Sequence, residues 1–136
     1  MANEESISEL IDLCIPATTE TPEIKCEKAT GRITLVGNLI PSDPQSFFSP
    51  LLRWIKYYIE SASPSKLNVE LYLTFVNGSS ERHLIKLFKT LEEYQQQKGL
   101  SINIICHYES EDPDMREWGK ELSLAIHLPV ELAEIN

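Results

Sequence analysis

Residues 67–76 restrict what this chain can fold into more than any other stretch. Leu67, Val69, Leu71, Leu73 and Phe75 alternate with Asn68, Glu70, Tyr72 and Thr74. A period of two belongs to a β-strand with one buried face and one wetter face. Asn77-Gly78-Ser79-Ser80 then supplies turn chemistry. Beyond it, Leu84, Leu87, Phe88, Leu91 and Tyr94 recur at helical spacing as far as Lys98-Gly99, where glycine suits a helix C-terminus. A strand that turns directly into a long amphipathic helix requires a sheet to join and a core to cover.

The neighbouring segments supply both. Ile24–Glu27 and Arg32–Gly37 read as two short strands of a hairpin around Ala29-Thr30-Gly31, and Asn38 to Pro44 as a loop. Asp43 can cap a helix with Pro44 in its first turn, although Ser49-Pro50 offers a second start. Phe47, Phe48, Leu51, Leu52, Trp54, Ile55, Tyr58 and Ile59 form its apolar stripe, and the serines and proline of 61–65 end it. Leu100–Tyr108 is a further strand. Asp112-Pro113 opens a third helix through Met115, Trp118, Leu122, Ala125 and Ile126. The expected order is β-β-α-β-α-β-α: an α/β (α+β) domain with about four strands in a mixed sheet covered by about three helices.

The 136 residues, 42% of them hydrophobic, suffice for one domain with a proper core. Residues 1–12 read as an acidic N-terminal arm, frayed or helical, with Ile7, Leu10 and Ile11 at helical spacing, and 13–136 as the domain. No apolar run approaches the ~20 residues of a membrane span, and no secretion signal is visible. Cys14, Cys26 and Cys106 are odd in number and make no CxxC pair, as expected of reduced thiols in a cytoplasmic protein. A net charge of −9 argues against a nucleic-acid surface. The acidic residues concentrate at the N-terminus and again at Glu109, Glu111, Asp112, Asp114 and Glu117, which would steer a basic partner or simply keep the chain soluble.

Catalytic constellations are missing from the sequence. It carries no GxGxxG, GxxxxGK[ST], HExxH or GxSxG, and His83, His107 and His127 lie on different elements with no evident partner. The 109–114 cluster lacks the spacing of a calcium loop, and Asp112 is better explained as a helix cap, so neither metal nor cofactor is expected. The turn at Asn77, Gly78, Ser79, Ser80, Glu81 and Arg82 is different. The first N–H groups of a helix starting there have no partner within it and, with the helix dipole, tolerate a phosphate. A phosphorylated hydroxyl would add about −1.5 to −2 of charge beside Arg82. Alternatively, Ser79 or Ser80 caps a helix that begins at Ser80, and Gly78 permits the tight turn.

From about Leu13 to Val130 the sequence resembles the SiaC-type regulatory phosphoproteins of bacteria. The shared pieces are Thr21-Pro22-Glu23-Ile24, Gly31, Gly37, Pro41, Phe47-Phe48, Pro50, Trp54, Tyr57-Tyr58, Phe75-Val76-Asn77-Gly78-Ser79-Ser80, Tyr108 to Met115, Glu117, Gly119 and Leu128-Pro129. The resemblance implies a single STAS-like domain, related to anti-sigma-factor antagonists, that is not an enzyme. It implies a cytoplasmic signalling adaptor that binds and activates a diguanylate cyclase, raising cyclic di-GMP and favouring biofilm. A Ser/Thr kinase and a PP2C-type phosphatase would switch it. The family's phosphorylated threonine falls here on Gly78, and its Gly-Arg-Ser-Tyr-Pro-Glu run is Gly37-Asn38-Leu39-Ile40-Pro41-Ser42. Either control has moved to Ser79 or Ser80, or the chain is blind to phosphorylation and binds constitutively. Glu81, Glu109, Glu111, Asp112 and Asp114 are further candidate partner contacts. The rival reading is a small anionic-ligand or nucleotide-binding domain built on the 77–80 turn, which requires a concave, partly apolar site beside it.

Overall fold

The structure, a computed structural model, describes residues 10–135. The elements in chain order are β1 (Leu13–Ile15), β2 (Glu23–Glu27), β3 (Arg32–Leu39), α1 (Pro44–Ala62), β4 (Lys66–Val76), α2 (Gly78–Lys98), β5 (Ser101–Glu109), α3 (Pro113–Ala125) and β6 (Val130–Ile135). They form one six-stranded sheet in the order β1-β2-β3-β4-β5-β6. The first two pairings are antiparallel and the remaining three parallel.

Three crossovers therefore step one strand at a time in the same direction. Because such connections are right-handed, all three helices fall on one face of the sheet. The burial pattern agrees. Ile33, Leu35, Leu67, Val69, Leu71, Leu73, Ile102, Ile104 and Cys106 are buried with the helix residues Leu51, Ile55, Ile59, Leu84, Phe88, Leu91 and Leu122. On the opposite face Arg32, Asn68, Glu70, Tyr72, Asn103 and His107 stay wholly or partly exposed. Parallel strands covered on both sides read as unbroken apolar runs. The strict alternation of residues 67–74 is thus the mark of a sheet covered once.

The sheet is wider than the four strands expected from sequence. The two extra strands are its edges. β1 has only three residues in what reads as an irregular lead-in, and β6 interrupts its apolar residues with Glu131 and Glu134 just after Pro129. Short, charged edges carry little periodic signal, although charge there discourages pairing with other chains. Pro50 lies inside α1 and starts nothing, since Asp43 caps the helix and Pro44 opens it. Ile126, expected within the third helix, is its extended C-cap.

Of the N-terminal arm, residues 1–9 lie outside the described residues. Leu10–Asp12 are not helical but are tied to the domain. Trp54 Nε1 donates to the Ile11 carbonyl at 2.8 Å, and the Lys28 backbone N–H donates to Asp12 Oδ1 at 2.9 Å. Two glycines are required by geometry. Gly31 closes the β2–β3 hairpin at φ +73°, where an added Cβ would lie 2.6 Å from the Lys66 carbonyl oxygen. At Gly119 a Cβ would meet Leu132 Cδ2 and lie 3.3 Å from Cys106 Cβ, so this residue lets α3 settle onto β5 and β6.

Candidate functional site

Parallel strands deliver their outgoing connections to one edge of a sheet, and in such folds ligands and partners tend to be met there. In this chain the ends of β3, β4 and β5 lead into the starts of α1, α2 and α3. The segments singled out in the sequence, 77–82 and 109–117, consequently occupy the same edge on adjacent strands.

Each helix start is capped by a side chain that accepts a backbone N–H three residues on. Asp43 accepts from Ser46 at 3.3 Å, Asn77 from Ser80 at 3.0 Å and Asp112 from Met115 at 3.3 Å. Carboxylates thus offset the positive ends of α1 and α3, while α2 is capped by a neutral amide. The Ser46 hydroxyl and backbone N–H hold the Asp43 carboxyl below its ordinary value. Asn77 also donates its backbone N–H to the Leu39 carbonyl at 3.2 Å, fixing the start of α2 against the end of β3.

This corrects the expected boundary. The helix begins at Gly78, two residues before Ser80, and Asn77 is the cap in place of either serine. Gly78 has no left-handed backbone angle, so its conformation does not require glycine. A Cβ there would meet only Arg82 Nη1, at 3.6 Å, because the Arg82 guanidinium turns back over the helix start. The two serines differ sharply. Ser80 is 0% exposed and its hydroxyl has no partner among the described residues, whereas Ser79 is half-buried with its hydroxyl 3.4 Å from Asn77 Oδ1.

Glu109 and Glu111 are exposed at the end of β5 and in the turn after it, Asp114 and Glu117 are exposed on the first turns of α3, and Asp112 is half-buried as a cap. Phe75 was expected on the inner face of its strand. It is instead 62% exposed, because the register of β4 against β3 slips by one residue between the Gly37–Leu73 and Leu39–Val76 pairs, so that Val76 packs against the core in its place. An apolar ring beside the α2 start is a contact that strand periodicity concealed.

His107, expected to lack a partner, has two. Its Nε2 lies 3.0 Å from Glu70 Oε1, and its ring stacks on Tyr72 at 4.0 Å between centroids. Glu70 also accepts from Arg32 Nε at 2.7 Å. The hydrogen bond from Arg32, helped by His107, holds the Glu70 carboxyl below its ordinary value, and burial with the Glu70 bond pushes the Tyr72 phenol up. This cluster ties β3, β4 and β5 together on the open face. It contains no nucleophile poised against a base. Among the described residues, no group of three or more His, Cys, Asp and Glu could hold a metal ion. None of their helices is long and apolar enough to cross a membrane.

A groove of about 360 Å³ lies between α1 and α2. His83 reaches from it toward the turn, stacking on Phe48 at 5.8 Å and placing Nδ1 2.9 Å from the Ser79 carbonyl. Asn77, Gly78, Ser79 and Ser80 do not line it.

A family model described as SiaC family regulatory phosphoprotein matches residues 15–135. A protein of Pseudomonas aeruginosa (strain UCBPP-PA14) is 26% identical over 110 residues, which cover 81% of this chain and 86% of that one. The crystal structure of apo-SiaC from Pseudomonas aeruginosa superposes with a TM-score of 0.81 at 24% identity, covering 90% of this chain and 98% of that one. The crystal structure of the diguanylate cyclase SiaD in complex with its activator SiaC, from the same organism, matches with a TM-score of 0.83 at 24% identity, covering 91% and 100%. These likenesses establish the α+β fold, with its mixed sheet and three helices, beyond this chain alone.

Proposed function

Because the chain belongs to the SiaC family of regulatory phosphoproteins, we propose that it is a non-catalytic cytoplasmic adaptor that binds and activates a diguanylate cyclase through its carboxyl edge. The observation that carries this reading is the start of α2. It is a helix N-terminus with a neutral cap and Glu81 in its first turn, overhung by the Arg82 guanidinium, which is in no ion pair among the described residues, and it shares its edge of the sheet with exposed Phe75 and the acidic 109–117 segment. Such a place receives a phosphoryl group readily and offers a partner both apolar and charged contacts.

Within 77–80 the acceptor is Ser79. Ser80 is fully enclosed and Gly78 has no hydroxyl, so a Ser/Thr kinase meets only Ser79 without unfolding the helix start. Phosphorylation there would place charge beside Arg82 and weaken the hold on the cyclase, and a PP2C-type phosphatase would restore it. The test is co-purification of a cyclase from the same host with the wild type, Ser79→Ala and Ser79→Glu, alongside mapping of the 68–90 fragment after kinase treatment. Wild type and Ser79→Ala are expected to retain the cyclase, and Ser79→Glu to lose it. If none of the three binds, the adaptor reading fails. If all bind and the fragment stays unmodified, the chain is a constitutive binder disconnected from the kinase by Gly78.

A further inference from the structure

The last strand leaves one side of its backbone open. Among the described residues β6 pairs with β5 alone. Ile104 donates its N–H to the Pro129 carbonyl at 3.1 Å and stands opposite Val130 in the parallel register. Successive backbone groups point to opposite sides of a strand. Residues 129, 131, 133 and 135 therefore turn theirs to β5, while Val130, Leu132 and Glu134 turn their N–H and C=O groups outward. Outward groups at alternate positions are what a further strand pairs with. The opposite edge, β1, is only three residues long.

The charge at this edge is one-sided. Residues 101–136 hold eight Asp and Glu against Arg116 and Lys120, a net of −6 in a chain of −9. Lys120 already faces Glu117 at 3.6 Å, and His107, beside Ala133 in the register, is engaged with Glu70. Glu131 and Glu134 are exposed, and neither is in an ion pair among the described residues. A hollow of about 350 Å³ at the start of the strand, with Asn68, Asn103 and Glu131 in its lining, adds further acceptor oxygens. A second copy would bring the same acidic edge against itself. The charge that keeps β6 from its own kind thus selects a basic strand.

We infer that β6 receives an extended basic segment of another protein as a seventh strand of the sheet. The backbone of that segment pairs with Val130, Leu132 and Glu134. Its Lys or Arg side chains meet Glu131 on one face and Glu134 on the other. The inference goes beyond the adaptor reading, since β6 lies two strands from β4 and its turn into α2.

The test uses the full chain and two synthetic peptides with the same alternating valine–threonine core, one flanked by lysines and its twin by glutamates. Fluorescence anisotropy should show the lysine peptide binding and the twin not, with raised salt weakening the complex. Amide hydrogen exchange followed by NMR should slow at Val130, Leu132 and Glu134 when the lysine peptide is added, and stay unchanged at Glu131 and Ala133. Glu131→Lys/Glu134→Lys should weaken binding about tenfold or more. Glu134→Pro, which removes an outward N–H but no bond to β5, should weaken it further than Glu134→Gln does. Glu20→Lys/Glu93→Lys changes the total charge equally at exposed positions off the strand and should bind as the wild type does, with melting curves confirming that every variant folds. Equal binding of the two peptides, binding of neither, or binding that leaves the three outward amides unprotected overturns the inference. So does self-association in sedimentation that protects those amides without peptide, because the occupant is then a second copy. The host cyclase separates the two proposals. Cyclase binding lost in Glu131→Lys/Glu134→Lys overturns the separate strand site and leaves the adaptor standing. If the cyclase does not bind the wild type while the lysine peptide still protects the outward amides, the adaptor reading fails and the strand site stands.

Discussion

Replacing Gly78 with threonine asks whether the start of α2 is an ordinary helix turn that happens to lack a hydroxyl. Three observations set the magnitude. Gly78 has no positive φ, it is exposed, and an added Cβ meets only Arg82 Nη1 at 3.6 Å, the far end of a flexible side chain at van der Waals distance. No strain or clash therefore opposes the change. Glycine disfavours a helix by roughly 0.5–1 kcal/mol relative to alanine, and threonine by about half that, so Gly78→Thr should gain a few tenths of a kcal/mol. In a domain of this size that corresponds to a rise in Tm of about 1 °C. Phosphorylation of the new threonine should add ~0.3–1 kcal/mol from the helix dipole, an effect that fades in high salt. Calorimetry of the wild type, Gly78→Thr and kinase-treated Gly78→Thr measures both steps, with intact mass confirming modification. A loss of more than about 1 kcal/mol in unmodified Gly78→Thr would mean that the backbone at 78 does need glycine.

Other positions give sharper contrasts. Gly31→Ala and Gly99→Ala both force a left-handed residue, at about 1–2 kcal/mol each. Only the first also drives a Cβ to 2.6 Å from a carbonyl oxygen, while Gly99 has nothing within 4 Å, so urea unfolding should show the larger loss at Gly31. Glu70 is held below its ordinary pKa of 4.5, so its contribution to stability is complete above that pH and is lost as pH falls through the lower folded value. The stability difference between wild type and Glu70→Gln should accordingly shrink on acidification below about pH 4.5, and a difference constant across that range would show that the Arg32–Glu70–His107 cluster contributes nothing as an ion pair. Burial pushes the thiols of Cys26 and Cys106 up to about 12 and leaves Cys14 exposed. A thiol reagent at neutral pH should label one cysteine in the native protein and all three in urea.

The sequence disclosed those parts of the fold whose periodic signal is long. Residues 67–76 and the stripes of α1 and α2 identified the layers, and Asp43, Asp112 and Gly99 marked helix ends through their own hydrogen-bonding and conformational preferences. The edges were illegible because β1 is too short, and β6 too charged, for alternation to stand out. At the α2 start, three residues able to cap a helix stood within four positions, and only the fold could choose Asn77, by tying its backbone to Leu39. Phe75 followed the alternation yet emerged exposed, since a one-residue slip of β4 against β3 changes the phase of the pattern there and turns Val76 inward instead. The Glu70–His107 contact joins residues 37 apart in sequence, and the helix groove draws on two separate elements. No local pattern encodes either.

Activation of a cyclase is read by measuring cyclic di-GMP production by the host's diguanylate cyclase as the unphosphorylated chain is titrated against it. Turnover should rise with the chain and saturate at a fixed stoichiometry, and Ser79→Glu should fail to raise it. Turnover that stays level throughout the titration, with no complex formed, would contradict the adaptor reading.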